Sequence, residues 1–171
     1  MQPLIRRART ADVADIRRLV DAYAGRILLE KATVQLYEDI QEFFVAELDG
    51  EVVGCGALHV MWQDLGEVRT VVVDPAAQGR GIGRQLLSQL IEQARWLGIR
   101  RVFVLTFEVP FFEAHGFRPI AGAPVSHEVY EELLRSFDEG VAEFLDLERV
   151  KPNTLGNTRM LLHLAGRERE E

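Results

Sequence analysis

Hydrophobic residues alternate with polar ones, or form short β-branched runs, along six stretches of the chain, and each stretch predicts a β-strand. The predicted strands cover residues 4–7, 43–47, 52–59, 67–73, 101–106 and 159–164. Asp49-Gly50 lies between the second and third of them. This dipeptide favours a tight turn, so the two strands are expected to form a hairpin.

Apolar residues that recur every three or four positions predict helices between the strands. The predicted helices cover residues 10–24, 33–41, 82–97, a short stretch around 111–115, and 128–137. Thr10 is the predicted N-cap of the first helix, and Gly98 is the predicted C-cap of the third. The sequence shows no repeat or linker, which predicts one mixed α/β domain over residues 1–171, with a frayed charged end at 166–171.

Composition narrows the classes of function. The net charge of −7, without a basic patch, disfavours nucleic acid as a partner. No apolar run approaches the roughly 20 residues of a membrane helix, and the N-terminus lacks a signal-peptide core, so a cytoplasmic protein is expected. The single Cys55 is interpreted as a buried small hydrophobe. No metal is expected, because the four histidines are scattered without ligand spacing.

The most informative segment is Gln78-Gly79-Arg80-Gly81-Ile82-Gly83, which lies between the 67–73 strand and the 82–97 helix. A glycine turn at a helix N-terminus forms a nest of backbone N–H groups suited to a phosphate. No Lys-Ser or Lys-Thr follows, which excludes a P-loop, and the glycine spacing differs from the dinucleotide fingerprint. The alternative interpretation is a tight turn without a ligand.

This segment resembles the pyrophosphate-binding signature Gln-x-x-Gly-x-Gly of the GNAT superfamily of acyl-CoA-dependent acetyltransferases. The resemblance implies a single α/β domain whose mostly antiparallel central sheet is splayed between strands 4 and 5 and flanked by helices. It also implies acetyl-CoA as co-substrate. The residues that would contact its pyrophosphate and pantetheine are Gln78, Gly79, Arg80, Gly81, Ile82, Gly83 and Arg84, and Val71, Val72 and Val73.

A finer resemblance links the chain to the acetyltransferase domain of N-acetylglutamate synthases, especially their short, stand-alone form in actinobacteria. It is carried by Ile27–Leu29, Gly54–Leu58, Leu65–Arg69, Val102–Thr106, Phe112 with Gly116-Phe117, and Asn157–Leu162. It implies direct transfer of acetyl from acetyl-CoA to the α-amine of L-glutamate, the first step of arginine biosynthesis. L-Glutamine is a possible acceptor.

The chain departs from these families at two places. Many GNAT enzymes have a tyrosine general acid where this chain has Phe112, which cannot donate a proton. Longer synthases tend to carry two arginines where this chain reads Leu29-Glu30-Lys31. The second departure affects the set of residues that bind the acceptor, and not the acyl donor.

Glu67 is the candidate general base, because an ammonium group must lose a proton before it can attack a thioester. Asp64 is the weaker alternative. With tyrosine absent, Thr106 acting through water, or solvent alone, could protonate the departing thiolate. Thr106 also has the simpler interpretation of a residue at a strand end.

An amino-dicarboxylate acceptor needs cationic partners, and the candidates are Arg26, Lys31, Arg69 and Arg159. Positions 67, 69, 71 and 73 share one face of an ideal strand, which places Arg69 beside Glu67. The anion that Arg69 meets could equally be a structural carboxylate. Arg159 lies in the tail motif and would suit a bidentate contact with a substrate carboxylate.

Two other functions stay open from the sequence. One is acetylation of another small amine or of a protein amine. The other is an acyl-CoA-binding regulatory module, which Phe112 in place of the acid would favour. The oligomeric state also stays open, and a homodimer is possible.

Overall fold

The sheet of the protein, seen in a computed structural model that describes residues 2–23 and 32–165, contains seven strands within that part of the chain. They are β1 (Leu4–Arg7), β2 (Phe43–Leu48), β3 (Glu51–Trp62), β4 (Leu65–Val73), β5 (Arg101–Thr106), β6 (Arg118–Pro119) and β7 (Thr158–His163). Their spatial order is β1-β2-β3-β4-β5-β7-β6. The pairs β1–β2, β2–β3, β5–β7 and β6–β7 are antiparallel, whereas β4 and β5 run parallel.

Helices flank the strands. They are α1 (Val13–Asp21), α2 (Thr33–Glu38), α3 (Ile82–Leu97), α4 (Val109–Glu113), α5 (His127–Leu133), α6 (Glu139–Phe144) and α7 (Lys151–Thr154). Within the described ranges, none of these helices is long and apolar enough to cross a membrane. The architecture is the mixed α/β fold predicted from the sequence.

The chain divides into two compact units. The first comprises Met1–His59 and Val68–Leu97, and the second comprises Val60–Glu67 and Gly98–Glu171. We refer to them as the N-terminal unit and the C-terminal unit. The division falls inside β3 and inside β4, so each of these strands contributes residues to both units.

The apolar face of α1 packs against one face of β2, β3 and β4 and forms the core of the N-terminal unit. Ile16 and Leu19 of α1 pack in a buried cluster with Val45, Cys55 and Val72. The other face of β3 is covered by α3. Two glycines permit this packing, because a Cβ at Gly54 or Gly56 would lie 3.0 Å from a side-chain methyl of Leu86 or Leu90.

The core of the C-terminal unit is formed by β5 and β7 with helices α5 and α6. Phe103 of β5 and Phe144 of α6 meet edge to face, with ring centroids 5.0 Å apart. Leu65 and Leu161 belong to the same buried cluster. This packing holds the end of β4 that carries Glu67 against β5, where Glu67 pairs with Phe103 in the parallel register.

Several local predictions are confirmed. Strands β1 and β5 and helix α3 have the predicted bounds. The β2–β3 hairpin turns at Asp49 and Gly50, both with positive φ. Gly98 ends α3 with a φ of +86°, as a C-cap glycine does.

Other local predictions are wrong. Thr10 does not cap α1, because the chain first makes a 3₁₀ turn over Thr10–Asp12 and α1 begins at Val13. The backbone N–H of Arg9 donates instead to Asp12 Oδ2 at 2.7 Å. Helix α6 lies between the predicted 128–137 helix and the predicted 159–164 strand, in a stretch for which no helix was predicted. Its signals are Asp138, whose Oδ1 accepts a hydrogen bond from the N–H of Val141, and the apolar residues that follow.

Candidate active site

The glycine loop joins the end of β4 to the start of α3 within the N-terminal unit. After Val73 the carboxylate of Asp74 accepts a hydrogen bond from the N–H of Ala76 at 2.9 Å, which starts the 3₁₀ turn Pro75–Ala77. The chain then continues through Gln78 and the glycines to α3, which begins at Ile82. The first N–H groups of an α-helix have no intrahelical acceptor, so α3 presents donors and the positive end of its dipole at this loop.

The backbone conformation explains why two positions of the loop are glycine. Gly79 has a φ of +81° and Gly81 a φ of +76°, and no atom lies within 4 Å of the position a Cβ would take on either residue. Space is therefore not the constraint. Only glycine adopts this left-handed conformation without strain, and it leaves the backbone of the loop exposed to an anion.

The charged residues of the loop are exposed. Arg80 precedes Gly81, and Arg84 lies in the first turn of α3. Ile82, by contrast, is buried and only its main chain could serve a ligand. The loop thus combines helix N–H groups with two guanidinium groups, which is the chemistry that a pyrophosphate requires.

Strand β4 contains one non-glycine residue in the left-handed region. Thr70 has a φ of +56°, which is a genuine outlier for a β-branched residue. The buried thiol of Cys55 donates to the carbonyl of Thr70 at 3.5 Å. The alternation of faces cannot be carried through this residue from positions 67 and 69 to positions 71 and 73. Arg69 precedes Thr70, so its placement beside Glu67 stays a prediction.

The three valines after Thr70 have different surroundings. Val72 is buried in the cluster that contains α1, whereas a methyl of Val71 lies 3.3 Å from where a Cβ on Gly56 would be. The carbonyl of Val73 accepts a hydrogen bond from the hydroxyl of Tyr23 at 2.8 Å. Val71 and Val73 are half-buried. The backbone contacts with pantetheine that the resemblance implies for these residues remain a prediction.

Glu67 is one of three buried polar or charged residues in the described part of the chain, and it is only 5% exposed. It lies in the C-terminal unit, on the portion of β4 that pairs with β5. Its charge acts on Arg159, where it opposes the lowering of the arginine pKa. A general base must take up a proton from the acceptor and release it again. Glu67 is a carboxylate that is largely removed from water and feels the charge of Arg159, so it is suited to this task.

Thr106, at the end of β5, is also buried, and its hydroxyl already has a structural partner. Its Oγ1 accepts a hydrogen bond from the N–H of Glu108 at 2.8 Å, which shapes the turn into α4. The hydroxyl proton can still be donated. Phe112, where many family members have tyrosine, is buried and packs edge to face with Phe111 and Phe117.

Arg159 donates most of its hydrogen bonds to main-chain carbonyls, and its predicted contact with the acceptor stays a prediction. Its guanidinium donates to the carbonyl of Gly122 through Nε and Nη2 at 3.2 and 2.9 Å, and to the carbonyl of Glu143 through Nη1 at 2.8 Å. It also donates to the carbonyl of Phe144 and lies over the ring of Phe103, 5.0 Å from its centroid. One of its five N–H groups is left, so a bidentate contact with a substrate is not available in this arrangement.

Burial lowers the pKa of Arg159 from its ordinary value, while Asp146 and Glu67 act in the opposite direction. A guanidinium nevertheless keeps its charge at neutral pH. Of the other predicted acceptor contacts, Arg69 is half-buried in β4 and has an interaction partner of its own. Arg26 and Lys31 lie outside the described residues.

The sequence analysis made no prediction for the hydroxyl of Tyr23. This tyrosine falls within the first predicted helix, 10–24, and its ring packs against the core of the N-terminal unit. Its hydroxyl bonds both Val73 and Gln78. The available signal was that a tyrosine on the buried face of a helix needs a hydrogen-bond partner for its hydroxyl.

Comparison with known proteins agrees with this geometry. A model of the acetyltransferase (GNAT) family matches residues 14–117. An amino-acid acetyltransferase of Mycobacterium tuberculosis is 63% identical over 166 residues, which cover 95% of this chain and 95% of the relative. An amino-acid acetyltransferase of Neisseria meningitidis is 36% identical over 67% of this chain, and this chain spans only 27% of its length.

Solved structures show the same likeness. The crystal structure of Rv2747 from Mycobacterium tuberculosis, in complex with CoA and NLQ, has a TM-score of 0.93 at 63% identity and covers 95% of this chain and 100% of that chain. The N-acetylglutamate synthase from Neisseria gonorrhoeae, complexed with coenzyme A and N-acetyl-glutamate, has a TM-score of 0.77 at 26% identity. The match covers 96% of this chain and 36% of the synthase chain.

The fold and the glycine loop define an acyl-CoA-dependent transferase. The chain belongs to the acetyltransferase (GNAT) family. It is an N-acetyltransferase whose co-substrate is acetyl-CoA. This assignment sets aside the regulatory module that Phe112 left open, because the relative that matches almost the whole chain is an enzyme.

Proposed function

We propose that the protein transfers the acetyl group of acetyl-CoA to the α-amine of L-glutamate. The observation in the fold that carries the transfer chemistry is the buried carboxylate of Glu67 on β4, the strand that leads into the glycine loop. The choice of an amino acid as acceptor is supported by the 63% identity to the amino-acid acetyltransferase of Mycobacterium tuberculosis. Glutamate is supported by the likeness to N-acetylglutamate synthase.

In the proposed reaction Glu67 takes a proton from the ammonium group of the acceptor, directly or through water. The neutral amine then attacks the thioester carbonyl, and backbone N–H groups of Val71–Val73 stabilise the oxyanion. The nitrogen of the tetrahedral intermediate loses its surplus proton to solvent, and collapse of the intermediate then forms the amide and breaks the C–S bond. The departing thiolate takes its proton from Thr106 through water, or from solvent, since a free thiol has a pKa of about 8.5.

Transfer is proposed to be direct, within a ternary complex. The alternative would be an acylated cysteine, but Cys55 is the single cysteine of the chain and is fully buried. Its thiol donates to the carbonyl of Thr70, and a buried thiol is not a ready nucleophile. No acyl-enzyme is therefore expected.

Arg69, Arg26 and Lys31 are proposed to bind the carboxylates of the acceptor. Arg159 is proposed to contribute mainly through its charge near Glu67, because a direct contact would require it to give up main-chain partners. If Arg159 makes no direct contact with a substrate carboxylate, the site has one cationic partner fewer for the acceptor. This favours one further acceptor, L-glutamine. Glutamine carries one carboxylate where glutamate carries two, so it needs fewer cationic partners.

The test is the release of CoA thiol from acetyl-CoA by the purified protein with a panel of amino acids and a short peptide near neutral pH. We expect glutamate-dependent release, with N-acetylglutamate identified by mass. Glutamine in place of glutamate as the faster acceptor would support the single-carboxylate alternative. Faster acetylation of another amine, with little reaction of either amino acid, would contradict the proposal.

A further inference from the structure

Tyr23 lies just after α1, and its side chain has two distinct parts. The ring is half-buried and packs against the cluster formed by α1, β2, β3 and β4. Its main-chain N–H donates to the carbonyl of Val20 at 3.1 Å, which continues the helical turn. The position of the hydroxyl is therefore fixed from two sides, by ring packing and by the helix.

The hydroxyl joins the last residue of β4 to the first residue of the glycine loop. It donates to the carbonyl of Val73 at 2.8 Å and accepts from Nε2 of Gln78 at 2.7 Å. A hydroxyl has one proton to donate, so the bond to Val73 leaves only acceptor sites for Gln78. The amide of glutamine can fill such a site, whereas a carboxylate at position 78 could not.

A second contact ties the same connection to α1. Nη1 of Arg18 donates to the carboxylate of Asp74 at 3.0 Å, and Nη2 of Arg18 donates to the carbonyl of Val52 at 2.9 Å. The segment between β4 and α3 is thus held near its beginning by Arg18 and near the glycines by Tyr23. Between Gln78 and α3 the two left-handed glycines provide little stiffness of their own.

We infer that Tyr23 is a positioning residue for the pyrophosphate site of acetyl-CoA, acting through the side chain of Gln78. The Gln78 amide is committed to Tyr23, so its contribution to the ligand comes from its main chain and from the path that it sets for Gly79 to Gly81. The inference rests on the use of acetyl-CoA by this protein. It is independent of which amine accepts the acetyl group.

The test compares Tyr23→Phe with the wild-type protein by calorimetric titration of CoA. Phenylalanine keeps the packed ring and removes only the hydroxyl. We expect the dissociation constant for CoA to rise about tenfold, which corresponds to the loss of an ordinary hydrogen bond. In turnover assays the KM for acetyl-CoA should rise similarly, while kcat at saturating acetyl-CoA should change little.

A double-mutant cycle separates this mechanism from a general loss of structure. Gln78→Met removes the amide and keeps the length of the side chain, and the two changes together should cost no more affinity than either alone. Tyr37→Phe, at an exposed tyrosine of α2, is the matched control and should leave CoA affinity unchanged. Unchanged affinity in Tyr23→Phe, or losses that multiply in the double variant, would overturn the inference.

Because CoA binding is measured without an acceptor, the outcome does not depend on glutamate. A protein that binds CoA normally but does not acetylate glutamate would contradict the proposed acceptor alone. A wild-type protein that does not bind CoA would overturn this inference together with the acetyl-CoA step of the proposed function.

Discussion

At the scale of single residues, Gly81 shows how a backbone angle can determine a binding site. It precedes the first residue of α3, and its carbonyl accepts the hydrogen bond from the N–H of Gln85 that starts the helical ladder. Its φ of +76° turns the chain from the exposed segment 78–81 into the start of α3. The open space around it means that a side chain would be excluded by conformation and not by collision.

Replacing Gly81 with alanine is expected to weaken CoA binding about tenfold. Alanine in the left-handed region is strained by about 1–2 kcal/mol, so the loop would relax away from the shape that gathers its donors. Gly98→Ala is the matched control, because Gly98 has a φ of +86° in equally open space at the opposite end of α3. Calorimetric titration of CoA measures both variants. An equal loss of affinity in both would contradict the local role of Gly81.

Glu67 is the residue on which the proposed chemistry depends. Glu67→Gln keeps the size of the side chain but replaces the basic carboxylate with an amide that cannot take up the proton. We expect CoA affinity to be retained and kcat to fall by about a hundredfold or more, as is typical for loss of a general base. Asp12→Asn, which removes a buried carboxylate from the N-terminal unit, should leave kcat nearly unchanged. Unchanged turnover in Glu67→Gln would exclude Glu67 as the base.

At the scale of elements, Arg159 connects β7 to α6, β5 and the loop at Gly122. Its hydrogen bonds reach the carbonyls of Glu143 and Phe144, which lie at the C-terminal end of α6, where carbonyls lack helical partners and a cation is favoured. The contact with the Phe103 ring adds a cation–π interaction. This short helix is therefore fixed to the sheet through one side chain.

Arg159→Met is expected to destabilise the protein by about 2–3 kcal/mol, because it removes the guanidinium that donates to the carbonyls of Gly122, Glu143 and Phe144. Urea unfolding measures this loss. Arg149→Met is the control, since Arg149 also contacts α6 but only through an exposed ion pair with Glu139, worth less than about 1 kcal/mol. A large rise in the KM for glutamate without any loss of stability would instead indicate that Arg159 binds the substrate directly.

The same elements show which predictions a sequence can support. The bounds of β5 and α3 were predictable because local patterns define them, by β-branched residues in one case and an amphipathic period with a terminal glycine in the other. Helix α6 has only six residues, too few for periodicity to be distinguished from chance. The role of Arg159 depends on main-chain carbonyls that are distant in sequence, and no motif encodes them.

At the scale of the whole molecule, the class of fold and the identity of the acyl donor were predictable, because the glycine loop and the order of elements are contiguous along the chain. The geometry of β4 was not predictable from the sequence. The left-handed Thr70 breaks the alternation that the sequence implies, and its partner Cys55 lies on a neighbouring strand. Deviations of this kind are selected by packing across the sheet, so a pattern of period two cannot reveal them.

The acid stability of the whole protein provides a test that does not depend on catalysis. Arg6 donates to both oxygens of Asp12 at 2.8 and 2.9 Å and also donates to Glu47. The hydrogen bonds from Arg6 to Asp12 hold the pKa of Asp12 below its ordinary value of 3.8, against the opposing effect of burial. A carboxyl group whose pKa is lowered by folding stabilises the protein above its unfolded pKa, and this contribution is lost as the pH falls through the folded value.

Asp12→Asn should therefore lower the free energy of unfolding by about 1–3 kcal/mol at neutral pH, the usual range for a hydrogen bond to a charged group. The difference from the wild-type protein should shrink as the pH falls below 3.8, where the wild-type carboxylate is itself progressively protonated. Asp21→Asn, in an exposed pair with Arg17 on the same α1, should change stability by less than about 1 kcal/mol. Urea unfolding from neutral to acid pH measures all three proteins. If the difference for Asp12→Asn stayed constant over this range, the ionised pair with Arg6 would not be its cause, and the loss would have to come from packing that is insensitive to charge.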